Sequence, residues 1–62
     1  MNDKNILYKV TPEGVPTVYV VANSQGEAVN KTYAKFVELD APGTQWRDTE
    51  KYNVTYVAAV IL

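Results

Sequence analysis

The chain contains neither cysteine nor histidine, and these two absences exclude many classes of function. Without cysteine it has no disulfide, no thiolate nucleophile and no cysteine-ligated zinc. Without histidine it lacks the commonest general base and the commonest metal ligand. A chain this short buries only about 60% of the surface that its unfolded form exposes. Small domains gain stability from disulfides, metals or oligomerisation, so oligomerisation or binding to a partner is the support that remains.

Neither positive nor negative charge predominates in the chain. Six basic and seven acidic residues give a net charge of −1, and the basic residues are scattered along the sequence. Binding to double-stranded nucleic acid requires several Lys or Arg side chains gathered on one surface. The charge distribution therefore disfavours nucleic acid as a partner.

Long hydrophobic runs are absent as well. The apolar end of the chain, residues 54–62, is far shorter than the roughly 20 residues that span a bilayer. The first five residues are polar and do not resemble a secretory signal peptide. Together with the absence of cysteine, these features predict a cytoplasmic protein that does not enter a membrane.

The acidic residues cluster twice, as Glu38 with Asp40 and as Asp48 with Glu50. Such pairs could bind a hard cation or act as an acid and a base. Neither has the oxygen-ligand spacing of a calcium loop, and both look like solvated loop charges. No glycine-rich phosphate-binding pattern occurs, and no Ser or Thr has a base beside it to activate it. We therefore predict no enzyme activity, no catalytic residue, no metal and no cofactor.

What the chain does contain is a strand, strand, helix, strand pattern. Residues 6–11 and 17–23 are rich in residues that favour β-strands and flank a Pro/Gly turn, which predicts an antiparallel hairpin. Ser24 and Glu27 fit a capping box at the start of a helix over residues 24–39. Apolar residues then recur at helical spacing to form a stripe, which Ala28 flanks. The stripe consists of Val29, Thr32, Tyr33, Phe36 and Val37.

The last strand is predicted over residues 52–62. If the helix returns the chain so that this strand lies beside the first, the sheet order is 2-1-3. We therefore predict one α+β domain over residues 1–62, with a three-stranded antiparallel sheet packed on one helix. Strands 17–23 and 52–62 would then be the two edges of the sheet.

This last strand is apolar on both faces toward its end. Regular alternation places Val57, Ala59 and Ile61 on the face opposite Tyr56 and Ala58. Since one helix covers one face of the sheet, the other face keeps more apolar surface than a monomer usually leaves in water. We predict a protein interface there, formed by a second copy or by another protein. Its contact residues are Tyr19, Val21, Trp46, Val57, Ala59 and Ile61.

Trp46 and the tyrosines each allow a second interpretation. Trp46, in a polar stretch, is either a contact anchor or a lid that folds over the helix end or the sheet edge. A row of exposed tyrosines, Tyr8, Tyr52 and Tyr56, could stack bases. The alternative function is therefore a small protein that binds single-stranded nucleic acid. Tyrosines on a small sheet more often pack in the core or at an interface.

The strand and helix layout resembles that of small phage-encoded β-β-α-β proteins. The segment 18–28 in particular is similar to the strand-to-capped-helix junction found in small phage and prophage proteins. Some of these proteins bind and block host enzymes, so the resemblance implies an inhibitor or adaptor of a host protein. It carries over no site residue, because the charged strand residues through which one such inhibitor works have no matching cluster here.

Overall fold

The computed structural model describes residues 5–42 and 45–61, and it confirms the predicted fold class. The sheet has the order β2-β1-β3, and β1 pairs antiparallel with both neighbours. The strands β2 and β3 are therefore the two edges, as predicted. The observed elements are β1 (Ile6–Thr11), β2 (Val18–Ala22), α1 (Gln25–Leu39) and β3 (Asn53–Ala59).

The helix begins at the predicted cap. The Ser24 hydroxyl accepts a hydrogen bond from the Glu27 amide at 3.2 Å. The Glu27 carboxylate accepts from the amide of Asn23, at 2.8 Å, one residue earlier than a capping box predicts. This hydrogen bond lowers the pKa of Glu27, and the nearby Lys31 ammonium lowers it further. The Lys31 Nζ lies 3.5 Å from Glu27 Oε1, so the two side chains form an i,i+4 ion pair on the helix surface.

The helix ends at Asp40, which adopts the left-handed conformation with φ of 50°. This turn lets the Ala41 amide donate to the carbonyl of Phe36 at 3.1 Å, which satisfies one of the last helical carbonyls. The predicted stop signal extended to Gly43 and Thr44, which lie outside the described residues. Within those residues, no helix combines the length and the apolar character needed to cross a bilayer.

The helix contacts the sheet through a stripe centred one position away from the predicted one. Ala28, Thr32 and Phe36 are buried, whereas Val37 is exposed, so Ala28 lies at the centre of the stripe and not on its flank. The buried Thr32 hydroxyl donates to the Ala28 carbonyl at 2.8 Å. The buried apolar core consists of Tyr8, Val10, Ala22, Ala28, Phe36, Trp46 and Tyr52.

The connection into β3 is more ordered than its polar sequence indicated. It contains two 3₁₀ turns, Gln45–Arg47 and Thr49–Lys51, which its sequence did not indicate. Asp48 caps the second turn by accepting a hydrogen bond from the Glu50 amide at 3.2 Å. The first turn positions Trp46 over the end of the core.

Candidate protein-binding surface

The C-terminal half of β3 and the residue that lies two positions beyond it are apolar and exposed. Tyr56 is 57% exposed, Val57 44% and Ile61 97%, and both Ala58 and Ala59 are exposed. Residues 53–61 contain no charged residue, no proline and no glycine. This edge therefore lacks the lysines and prolines that usually prevent an edge strand from pairing with another chain. We call Tyr56, Val57, Ala58, Ala59 and Ile61 the β3 patch.

The position of the helix explains why the β3 patch is left uncovered. The helix follows β2 directly and packs chiefly on β2 and β1. Tyr8 on β1 and Tyr56 on β3 are paired, so their side chains point to the same side of the sheet. Tyr8 is buried there, whereas Tyr56 lies beyond the helix and is exposed.

A register shift in β3 changes which residues share a face. Tyr8 pairs with Tyr56, but Leu7 pairs with Ala58, so Val57 is an extra residue in β3, as in a β-bulge. After Val57 the alternation is reversed. Ala59 pairs with Ile6 and therefore lies on the helix side of the sheet. The prediction that Ala59 lies on the open face was wrong, because regular alternation assumed no bulge.

Ala58 takes the place predicted for Ala59 on the open face. Leu7 pairs with Val21 on one side and with Ala58 on the other, which gives an apolar row across all three strands. The next row is more polar, because Lys9 lies between Tyr19 and Thr55. Tyr19 is 63% exposed, and Val21 is half-buried. The predicted contact residues Tyr19 and Val21 therefore do lie on the face opposite the helix.

Trp46 forms part of the core and is 3% exposed. Its ring packs at centroid distances of 5.6 Å from Tyr33 and 5.8 Å from Phe36. Its indole N–H donates to the Ala41 carbonyl at 2.8 Å, and the Arg47 guanidinium lies 5.2 Å from the ring centroid. Trp46 is thus a lid, which was one of its two predicted roles. The prediction that Trp46 is a contact anchor was wrong, because an anchor needs an exposed ring.

The three tyrosines considered for base stacking, Tyr8, Tyr52 and Tyr56, do not form an exposed row. Tyr8 and Tyr52 are buried, and of the three tyrosines only Tyr56 is exposed. The Tyr52 hydroxyl donates to the carbonyl of Trp46. Burial raises the pKa of Tyr52, and the nearby Tyr33 raises it further. Two of the three rings are therefore committed to the core and not available for base stacking.

The acidic residues make local contacts. Glu38 Oε1 lies 3.0 Å from Lys35 Nζ, and Asp48 caps a 3₁₀ turn. Among residues 5–42 and 45–61, no group of three or more Asp or Glu side chains comes together in a way that could hold a metal ion. The exposed apolar surface is therefore the best candidate for a functional site.

Comparison with known proteins adds no further constraint. No protein-family model, no curated protein and no solved structure matches this chain.

Proposed function

We propose that this chain is a non-catalytic, cytoplasmic protein-binding module whose contact surface is the β3 patch with the adjoining open sheet face. The observation that carries the proposal is an apolar edge strand without charge or proline, exposed on both of its faces. Contiguous exposed apolar surface of this kind marks interaction sites in soluble proteins. An unpaired edge also offers backbone donors and acceptors to an incoming strand.

A second copy of the chain is the partner that this surface fits most simply. The Val60 amide donates to the Asn5 carbonyl at 2.7 Å, so Val60 pairs toward β1 and the backbone groups of Ala59 point outward. Two β3 strands related by a two-fold axis would pair antiparallel, and each would meet the same apolar, uncharged sequence. The two sheets would then join into one of six strands.

Another protein could occupy the same surface. Under that form of the proposal, the chain is a small inhibitor or adaptor, as the resemblance to phage and prophage proteins implies. Strand addition through β3 supplies backbone hydrogen bonds in both cases, and the side chains of the β3 patch supply specificity. The two forms differ in the partner and not in the surface.

Amide hydrogen exchange tests the proposal residue by residue. If β3 pairs with a second copy, the outward amides of Tyr56 and Ala59 should become protected as protein concentration rises. Val57→Lys places a charge on this edge and should abolish the concentration dependence. Asn30→Lys adds the same charge to the exposed side of the helix and serves as the control.

If exchange at Tyr56 and Ala59 is fast and independent of concentration, self-association is wrong. The remaining form is then tested by affinity capture from the native host with wild-type and Val57→Lys protein as bait. A discrete partner that is retained by the wild type and lost by Val57→Lys supports the hetero-partner form. Equal capture by both baits contradicts the β3 surface altogether.

A further inference from the structure

A second, separate feature lies at the opposite edge of the sheet. A groove of about 520 Å³ runs between β2 and the helix, and we call it the β2–α1 groove. Its walls are apolar, and two lysines line it as well. Its lining includes Val18, Val20, Phe36, Leu39, Lys31 and Lys35.

One backbone group on the edge of β2 beside this groove is already hydrogen-bonded to a side chain. The Lys31 ammonium donates to the carbonyl of Val21 at 2.9 Å. That carbonyl therefore points away from β1, and so does the Val21 amide, because both groups of a residue in an antiparallel strand point to the same side. Tyr19, two residues earlier, has the same orientation. Tyr19 and Val21 thus hold the donors and acceptors that an added strand would use.

The charge of the groove favours an acidic occupant. Lys31 and Lys35 lie one helical turn apart and line the groove, whereas their partners Glu27 and Glu38 are not among its lining residues. The Lys31–Glu27 and Lys35–Glu38 pairs are solvent-exposed, at 3.5 Å and 3.0 Å. Exposed pairs of this kind contribute little free energy and exchange readily for another carboxylate.

We propose that the β2–α1 groove binds an extended acidic peptide segment of another protein as a fourth strand on β2. A backbone amide of the peptide donates to the Val21 carbonyl in place of Lys31. The Lys31 ammonium then forms an ion pair with a carboxylate of the peptide. Side chains on alternate peptide positions enter the groove between β2 and Leu39. Lys31 therefore acts as a gate, because it closes the edge to neutral strands and opens it to acidic ones.

This inference does not depend on the β3 patch, because it uses the other edge of the sheet. A peptide bound at β2 would protect the amides of Tyr19 and Val21, whereas partner binding at β3 would protect those of Tyr56 and Ala59. The same exchange experiment therefore distinguishes failure of one proposal from failure of the other.

The test is selection from a random library of blocked peptides about eight residues long, close to the length of a strand. On wild-type protein, the selected peptides should carry Asp or Glu together with apolar residues at alternate positions. On Lys31→Met and Lys35→Met, the acidic preference should fall, by up to about fivefold, which is the upper end of the ratio expected for an exposed charge pair. Lys51→Met makes the same change away from the groove and should leave the preference intact.

The gate gives Lys31→Met a second expected result. Because the Val21 carbonyl is then free, a selected peptide with its acid replaced by the amide should bind Lys31→Met at least as tightly as it binds wild type. For the wild type, the acidic peptide should slow exchange of the Tyr19 and Val21 amides. No enrichment, an acidic preference unchanged in both groove variants, or protection confined to β3 would each overturn the proposal. Circular dichroism confirms that each variant is folded.

Discussion

The Tyr52 hydroxyl donates a hydrogen bond to the backbone carbonyl of Trp46, across the loop that leads into β3. Both side chains are buried. The bond joins the 3₁₀ turn of the lid to the start of the last strand, so it fixes where β3 enters the sheet. The polar stretch before β3 is thereby part of the folded core.

Removing this hydroxyl should destabilise the fold and change its response to alkaline pH. Tyr52→Phe should cost roughly 1–2 kcal/mol, because a buried hydrogen bond is lost and the Trp46 carbonyl loses its partner. Tyr19→Phe removes an exposed hydroxyl and is the matched control. Urea unfolding of the two variants and the wild type measures the difference. Equal stability of all three would show that the Tyr52 bond does not contribute.

The raised pKa of Tyr52 should make the free energy of unfolding depend on pH in the alkaline range. The folded state favours the neutral phenol, so this contribution is fully present below the unfolded pKa of about 10 and is lost as pH rises through the folded pKa. The wild type should therefore lose more stability than Tyr52→Phe between about pH 9 and pH 12. Parallel losses in the two proteins would contradict the assignment.

Phe36 should be a principal contributor to the core. It is buried on the helix against Trp46, so Phe36→Ala should destabilise the fold by roughly 3–5 kcal/mol through lost burial and a cavity. Val37→Ala lies next to it on the exposed side and should change stability by no more than about 0.5 kcal/mol. Chemical denaturation checks both, and a similar cost for the two would mean that the helix is rotated about its axis.

The helix cap should contribute to folding stability, and part of that contribution should be lost at acidic pH. Ser24→Ala should cost about 1 kcal/mol of folding stability, because the hydroxyl that accepts from the Glu27 amide is removed.

The lowered pKa of Glu27 means that the contribution of its carboxylate to stability is present above the unfolded pKa, about 4.3, and is lost as pH falls through the folded pKa. Thermal unfolding between about pH 6 and pH 3 should show a smaller decrease for Glu27→Gln than for the wild type. An identical decrease would exclude this role for Glu27.

Ile61 should matter for association and not for folding. Because its side chain is 97% exposed, Ile61→Asp should leave the unfolding midpoint close to that of the wild type. It should weaken self-association, since a charge would be buried in the contact. Asn30→Asp adds the same charge on the exposed side of the helix and should affect neither. If Ile61→Asp unfolds the domain as Phe36→Ala does, the assignment of the exposed surface is wrong.

Local signals predicted much of this fold. The Ser24 cap, the helix that follows it and the hairpin of β1 and β2 all depend on contacts between residues close in sequence. The order 2-1-3 followed from chain connectivity. What the sequence could not supply was the position of the helix over the sheet, because that depends on how Ala28 and Phe36 pack against β2 and β1.

The two errors in the predicted interface have different causes. Ala59 was misplaced because the bulge at Val57 has no glycine to signal it, and one extra residue reverses the faces of the β3 residues that follow it, Ala58 and Ala59. Trp46 was ambiguous because its partners Tyr33 and Phe36 are distant in sequence. The signal that could have identified the lid was the pair of helical aromatic residues, which need a cover that the sheet alone does not give.

Sedimentation equilibrium of the wild type and Val57→Lys, over about 5 to 500 µM, tests the central claim most directly, because association through an exposed edge must depend on concentration. The account predicts that the wild type shifts toward the dimer mass as concentration rises, whereas Val57→Lys stays monomeric with the same fold. A wild type that remains monomeric throughout, or a Val57→Lys protein that associates equally well, would contradict self-association through the β3 patch.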